Sequence, residues 1–140
     1  GARIRGYCGD LTRSFCLGSA DGRYRELYEI VLSAQTAAVR GLRAGMTGAE
    51  ADALARDVIA AAGLGDAFTH TLGHGIGLAV HENPRLSARW PKPLLAGIVT
   101  SVEPGIYIPG WGGIRIEDLV VLEDSGARVL TSAGKDPVIG

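Results

Sequence analysis

Apolar residues recur along this chain with two different periods, and the change from one to the other falls near Phe68. Before that point Leu27, Ile30, Val31, Ala34, Ala38 and Leu42 stand three or four residues apart. This spacing predicts an amphipathic helix that starts from a cap on Ser19 or Asp21 and runs to about Leu42, with Gly41 and Gly45 loosening its end. Thr47 with Glu50 three residues later has the form of a capping box. Ala51, Leu54, Ala55, Val58, Ile59 and Ala62 follow as the stripe of a second helix, stopped at Gly63. Both helices read as packing elements.

Elsewhere the period is two. Residues Ala2 to Gly18 predict two extended segments, the second from Asp10 to Leu17. On that strand Cys8, Asp10, Thr12, Ser14 and Cys16 share one face, and Leu11, Arg13, Phe15 and Leu17 the other. After Phe68, short apolar runs broken by Gly and Pro predict strands at Ile98 to Ile108, Gly113 to Glu123 and Arg128 to Thr131. The Ser125-Gly126 pair turns the last two into a hairpin, and Arg85 to Pro93 reads as a loop. Helices ahead of a strand-rich second half make the class α+β.

Composition narrows the field. With 140 residues, 46% of them hydrophobic, the chain can bury one sizeable core, so residues 1–140 read as one domain or part of one. Fourteen basic against fifteen acidic residues give no electrostatic reason to expect a nucleic acid or an anionic membrane. No apolar run approaches the roughly 20 residues of a membrane span. Cys8 and Cys16 alone make no disulfide framework, so a reduced, cytoplasmic setting is expected. The opening Gly1-Ala2-Arg3-Ile4-Arg5 lacks Met and reads as entered in mid-strand, which predicts a longer parent.

Asp10, His74, Glu103 and Glu117 are the candidate chemistry. Taken singly, each acid is equally a solvated surface residue. Each, however, lies inside an apolar strand pattern, where an uncompensated carboxylate costs several kcal/mol. Together they point to a carboxylate-rich dinuclear metal site, the hard oxygens and borderline nitrogen suiting Mn, Co, Fe or Zn. Thr12 is the same-face neighbour of Asp10, and Arg115 that of Glu117, where each can orient a ligand. Gly73, Gly75 and Gly77 do not match a dinucleotide loop, whose third glycine stands one residue further on and opens a helix. They let the backbone wrap closely around His74 and keep His70 and His74 off a helix, which also removes the zincin pattern. His81 reads as a loop histidine, or as one reaching across the same cavity to donate or accept a proton. Tyr107, Trp111 and Trp90 either line a small apolar pocket or lie in the core.

With these runs in view, the chain resembles the pita-bread metallopeptidases, the group of methionine aminopeptidase, aminopeptidase P and Xaa-Pro dipeptidase (prolidase), and within it the proline-directed members. Four motifs carry the resemblance in order: Tyr7-Cys8-Gly9-Asp10-Leu11-Thr12-Arg13-Ser14-Phe15; His70-Thr71-Leu72-Gly73-His74-Gly75-Ile76-Gly77 with His81-Glu82; Glu103-Pro104-Gly105-Ile106-Tyr107; and Arg115-Ile116-Glu117-Asp118. The resemblance implies a curved antiparallel sheet with helices on its outer face, its N-terminal repeat truncated here. It implies that Asp10 and Glu117 bridge two divalent ions (Mn, Co, Zn or Fe), that His74 and Glu103 bind one of them, and that Glu103 is also the general base. His81 would steady the tetrahedral intermediate, and His70 would contact substrate and favour the Xaa-Pro branch.

The implied activity is that of a metalloexopeptidase cleaving Xaa-Pro bonds in dipeptides or at peptide N-termini, by attack of a water bridging the two ions. Its partner is a peptide with proline at the second position, and the parent is expected to be a homodimer. A further metal Asp of the family, about eleven residues before the position of Asp10, would fall ahead of Gly1. The residues present are then four ligands of five, and the chain alone is expected to be a poor catalyst. Two other readings share the fold: a non-catalytic binding module and a creatinase-like metal-free hydrolase.

Overall fold

A computed structural model describes residues 1–140. Its elements follow the chain as β1 (Ala2–Ile4), β2 (Tyr7–Gly9), β3 (Cys16–Leu17), α1 (Gly22–Gly41), α2 (Gly48–Ala61), a single 3-10 turn (Gly65–Ala67), β4 (Gly73–Gly75), β5 (Glu82–Leu86), β6 (Val99–Val102), β7 (Gly105–Ile108), β8 (Gly112–Arg115), β9 (Asp118–Glu123), β10 (Gly126–Val129) and β11 (Val138–Ile139). The helices start where the sequence places their caps. Asp21, of the two cap candidates, accepts the Tyr24 N–H at 2.7 Å. Thr47 and Glu50 form the full capping box, with the Thr47 N–H donating to Glu50 at 2.7 Å.

The central sheet has the order β10-β9-β6-β4-β5, with every neighbouring pair antiparallel. α1 and α2 pack on each other and against this sheet, closing one core in which Leu27, Val31, Ile59, Leu72, Leu86, Val102 and Val120 are buried. Each such side chain contributes roughly 1.5–3 kcal/mol by leaving water. β7 and β8 pair only with each other.

Four expectations need correction. Ile98 to Ile108 is two strands, because Pro104 has no N–H to give a ladder and pushes Glu103 out of line. Gly113 to Glu123 is also two, broken at Ile116 and Glu117. Val102 pairs with Asp118 and Gly105 with Arg115, so these breaks face each other where the β7–β8 hairpin leaves the sheet. Within Asp10 to Leu17 only Cys16–Leu17 joins a ladder, parallel to β11. The extended residues before it are tied instead to the second break, through Glu117 N–H to Thr12 O (3.0 Å) and Arg115 N–H to Ser14 Oγ (3.0 Å). Lastly, the loop expected from Arg85 begins with strand, β5 running through Pro84 to Leu86 as the edge of the sheet, the one place a sheet tolerates proline. The final hairpin forms, but its turn is Asp124-Ser125 rather than Ser125-Gly126, and Gly126, at φ +143°, already opens β10.

Asp118, at the start of β9, is 1% exposed, yet four donors surround its carboxylate. Oδ1 accepts from Arg13 Nη2 (2.7 Å) and Thr131 Oγ1 (2.7 Å), and Oδ2 from Gln35 Nε2 (2.8 Å) and Lys135 Nζ (2.6 Å). Burial pushes its carboxyl up, but the bonds from Lys135, Thr131 and Arg13 outweigh burial and hold it below the ordinary range. A carboxyl depressed by folding stabilises the fold above its unfolded pKa of about 3.9, and that contribution disappears as pH falls through the lower folded value.

Asp118→Asn is therefore expected to lower stability at pH 7 by about 3 kcal/mol, since Arg13 and Lys135 keep their charges without a counter-ion. Urea midpoints taken from pH 7 down to pH 3 check both effects. The unaltered protein loses stability below about pH 4, and the variant's curve is flatter there.

Candidate metal centre

His74 sits in the middle of β4 between Gly73 and Gly75, and both glycines are sterically required. A Cβ on Gly73 would run into the backbone of Ser101, and one on Gly75 into that of Asn83. This close approach brings β6 beside the imidazole. Ser101 Oγ accepts the His74 N–H (3.0 Å) and donates to Glu103 Oε1 (3.0 Å), while Thr100 Oγ1 donates to His74 O (2.9 Å). His74 Nδ1 donates to Gly75 O (3.0 Å), which aims Nε2 at Glu103 Oε1 (3.2 Å) and Asp10 Oδ2 (4.0 Å). Burial works to lower the pKa of His74, and the Glu103 carboxylate, with smaller help from Gly75 and Asp10, raises it above the ordinary histidine value.

Glu117 comes in from the break between β8 and β9. Its Oε2 accepts from Thr12 Oγ1 (2.6 Å), and Thr12 Oγ1 in turn accepts from Arg115 Nε (3.0 Å). Its Oε1 is buried with no hydrogen-bond partner. Burial pushes the carboxyl up, and despite the Thr12 bond the neighbouring charges of Glu103 and Asp10 keep it there. Ligand atoms of Asp10, His74 and Glu117 all lie within 4.8 Å of one another, and Glu103 adjoins His74. The fold thus brings the four sequence-predicted ligands together. Three carboxylates, one of them with an orphaned buried oxygen, and one imidazole are a donor set that a divalent cation fits.

The other expected residues surround this group. The His81 ring lies 4.3 Å from that of His74, centroid to centroid, and is exposed to solvent. His70 Nδ1 donates to Thr71 O (2.8 Å), leaving Nε2 to accept from the Tyr107 hydroxyl (2.9 Å), which Arg115 Nη1 also approaches (3.4 Å). Arg56 holds the His70 segment by donating to Phe68 O (2.9 Å) and His70 O (2.8 Å) while paired with Asp52 at 2.6 Å. The aromatic pocket does not form. Tyr107 alone joins the site, whereas Trp111 lies under Arg23 and Trp90 beside Lys92.

Comparison with known proteins agrees with this geometry. The sequence model of metallopeptidase family M24 matches residues 1–124. The chain belongs to that family. Within M24 it is 49% identical over 139 residues to the uncharacterized peptidase YqhT of Bacillus subtilis, aligning 99% of this chain with 39% of that protein. It is 47% identical over 136 residues to the Xaa-Pro dipeptidase of Pyrococcus furiosus, covering 97% of this chain and 39% of that one. The solved X-Pro aminopeptidase from Thermotoga maritima superposes at a TM-score of 0.96 and 44% identity, over 99% of this chain and 40% of its own. The M24 chain therefore spans about two fifths of the length of the relatives it matches. The α+β architecture, an antiparallel sheet backed by α1 and α2, is the pita-bread fold of these neighbours. No helix in it is long and apolar enough to cross a membrane.

Two residues of the site escaped the sequence. Ser101 stands two before Glu103 in the run expected to be one strand, so the period of two would have found it. Arg13 offered no local signal, because its partners other than Thr12 O lie more than a hundred residues away.

In the whole protein, Glu117→Gln is expected to weaken Mn2+ binding by at least about 100-fold, the upper end of what losing an outer partner does. Metal-free stability is expected to stay level or rise, because one of three crowded charges is gone. Calorimetric titration with Mn2+ and urea midpoints without metal measure the two effects.

Proposed function

We propose that the whole protein is a metal-dependent exopeptidase cleaving Xaa-Pro bonds, in dipeptides or at peptide N-termini. The observation that carries the reading is the convergence of Asp10, His74, Glu103 and Glu117, with the exposed ring of His81 against His74. The kinship with an Xaa-Pro dipeptidase and an X-Pro aminopeptidase supports the choice of substrate.

In this reading Asp10, His74, Glu103 and Glu117 would hold two divalent ions, from among Mn, Co, Zn and Fe. When bound, such ions acidify a coordinated water and polarise a peptide carbonyl. The chain's own residues do the rest. Thr12 and Arg115 fix the Glu117 carboxylate, Thr12 by direct donation and Arg115 through Thr12. Burial raises the Glu103 carboxyl, but His74 and Ser101 together lower it below the ordinary range, so it stays ionised. Ser101 Oγ donates to its Oε1, which leaves Oε2 to accept a proton. His81, exposed beside His74, would donate to the oxygen of the scissile carbonyl. His70, its ring fixed between Thr71 and Tyr107, presents a rigid edge to the substrate. A metal-free, creatinase-like reading leaves Glu117 Oε1 and three crowded carboxylates without compensation, which disfavours it.

Assayed with Mn2+ or Co2+ on Xaa-Pro dipeptides and on longer Xaa-Pro peptides, the whole protein should show hydrolysis abolished by chelation and restored by metal. His81→Ala is expected to lower kcat by about 100-fold with little change in KM. Hydrolysis indifferent both to chelation and to His81 would sink the reading.

A further inference from the structure

Arg13 touches none of the candidate ligand atoms, yet every donor of its guanidinium is spent around them. Nε donates to Gly134 O (2.9 Å), Nη1 to Thr12 O (2.9 Å) and to Glu117 O, and Nη2 to Asp118 Oδ1 (2.7 Å) and Ala133 O (2.9 Å). A guanidinium has five N–H groups, so all five are used, and the side chain is only 12% exposed. Two of the acceptors are the carbonyls of Thr12 and Glu117, residues already joined twice, by Glu117 N–H to Thr12 O (3.0 Å) and by Thr12 Oγ1 to Glu117 Oε2 (2.6 Å).

The segment carrying Asp10 has no strand ladder to hold it against the segment carrying Glu117. What holds it is this pair of bonds, the Arg115 bonds to Ser14 and Thr12 beside them, and the rigid fork behind them. Asp118 supplies the counter-charge, and its other donors, Lys135, Thr131 and Gln35, anchor that charge to α1 and to the C-terminal segment. A planar fork fixes two carbonyls at a set spacing, which a flexible ammonium group does not.

We propose that Arg13 is a positioning residue that sets the separation of the Asp10 and Glu117 carboxylates, and thereby the affinity and pairing of the divalent ions they hold. The proposal rests on the metal-centre reading above. It assigns Arg13 no contact with metal or substrate; the residue acts through the backbone of Thr12 and Glu117.

The test compares the whole protein with its Arg13→Lys and Arg56→Lys variants. Arg56 is the control, because it also pairs with an acid and bonds two carbonyls, but those of Phe68 and His70, neither of them a candidate metal ligand. Circular dichroism and urea midpoints match the variants for fold and stability. Mn2+ affinity is read by calorimetry, and ion pairing by the exchange-coupled electron paramagnetic resonance signal of two Mn2+ ions. For Arg13→Lys, affinity should fall about 10–100-fold, as for other groups that orient a ligand, and the coupled signal should give way to that of isolated ions. Arg56→Lys should keep both. Where Arg13→Lys does not fold, Arg13→Gln, which keeps a planar donor, takes its place with the same expectation. Unchanged Mn2+ affinity and coupling in the folded Arg13 variant, with normal binding by the unaltered protein, overturns this proposal alone. Absence of Mn2+ binding by the unaltered protein overturns the metal-centre reading and this proposal with it.

Discussion

Like charges brought together out of water repel, and three carboxylates around one imidazole are the constraint this structure is built to satisfy. Glu117 shows it most directly, with one buried oxygen unpartnered and its carboxyl pushed up by burial and by Glu103 and Asp10. Ordinary packing would separate such groups or pair each with a cation. Here Arg115 stands 3.9 Å from Glu103 and is bonded to Thr12 rather than to Glu117. The deficit is what makes the cluster a place for an added cation.

Holding the acids there takes rigid backbone, and the sheet supplies it by being interrupted. Glu103 and Glu117 both sit in breaks between strands, opposite each other where the β7–β8 hairpin departs. In a continuous strand each would point squarely to one face of the pleat. At a break the backbone turns, and side chains from two strands and one extended segment converge on one point. Gly73 and Gly75 bring in the fourth group by letting β4 pass within backbone contact of its neighbours.

Much of this was legible beforehand, and the exceptions share a cause. The Thr47–Glu50 box and the Asp21 cap are local devices, and local sequence is enough to read them. The four candidate ligands stood out because acids inside apolar runs, and a histidine inside a glycine run, are conspicuous. The two strand breaks were read as continuous strands, because a period of two carries through a bend. β3 and β11 were missed as partners, since a parallel pair more than a hundred residues apart leaves no mark on either segment. Alternation puts Arg13 on the face away from Asp10. Its use is decided by Asp118, Ala133 and Gly134, all distant in the chain.

Four of the five groups that Arg13 grips are main-chain carbonyls, those of Thr12, Glu117, Ala133 and Gly134. Every residue type carries that atom. The gripped positions at 133 and 134 can therefore change identity freely so long as the chain keeps its path, while the arginine has no substitute with the same fork. Mutational tolerance around the clasp should accordingly be lopsided, with one intolerant position answering to a stretch of permissive ones.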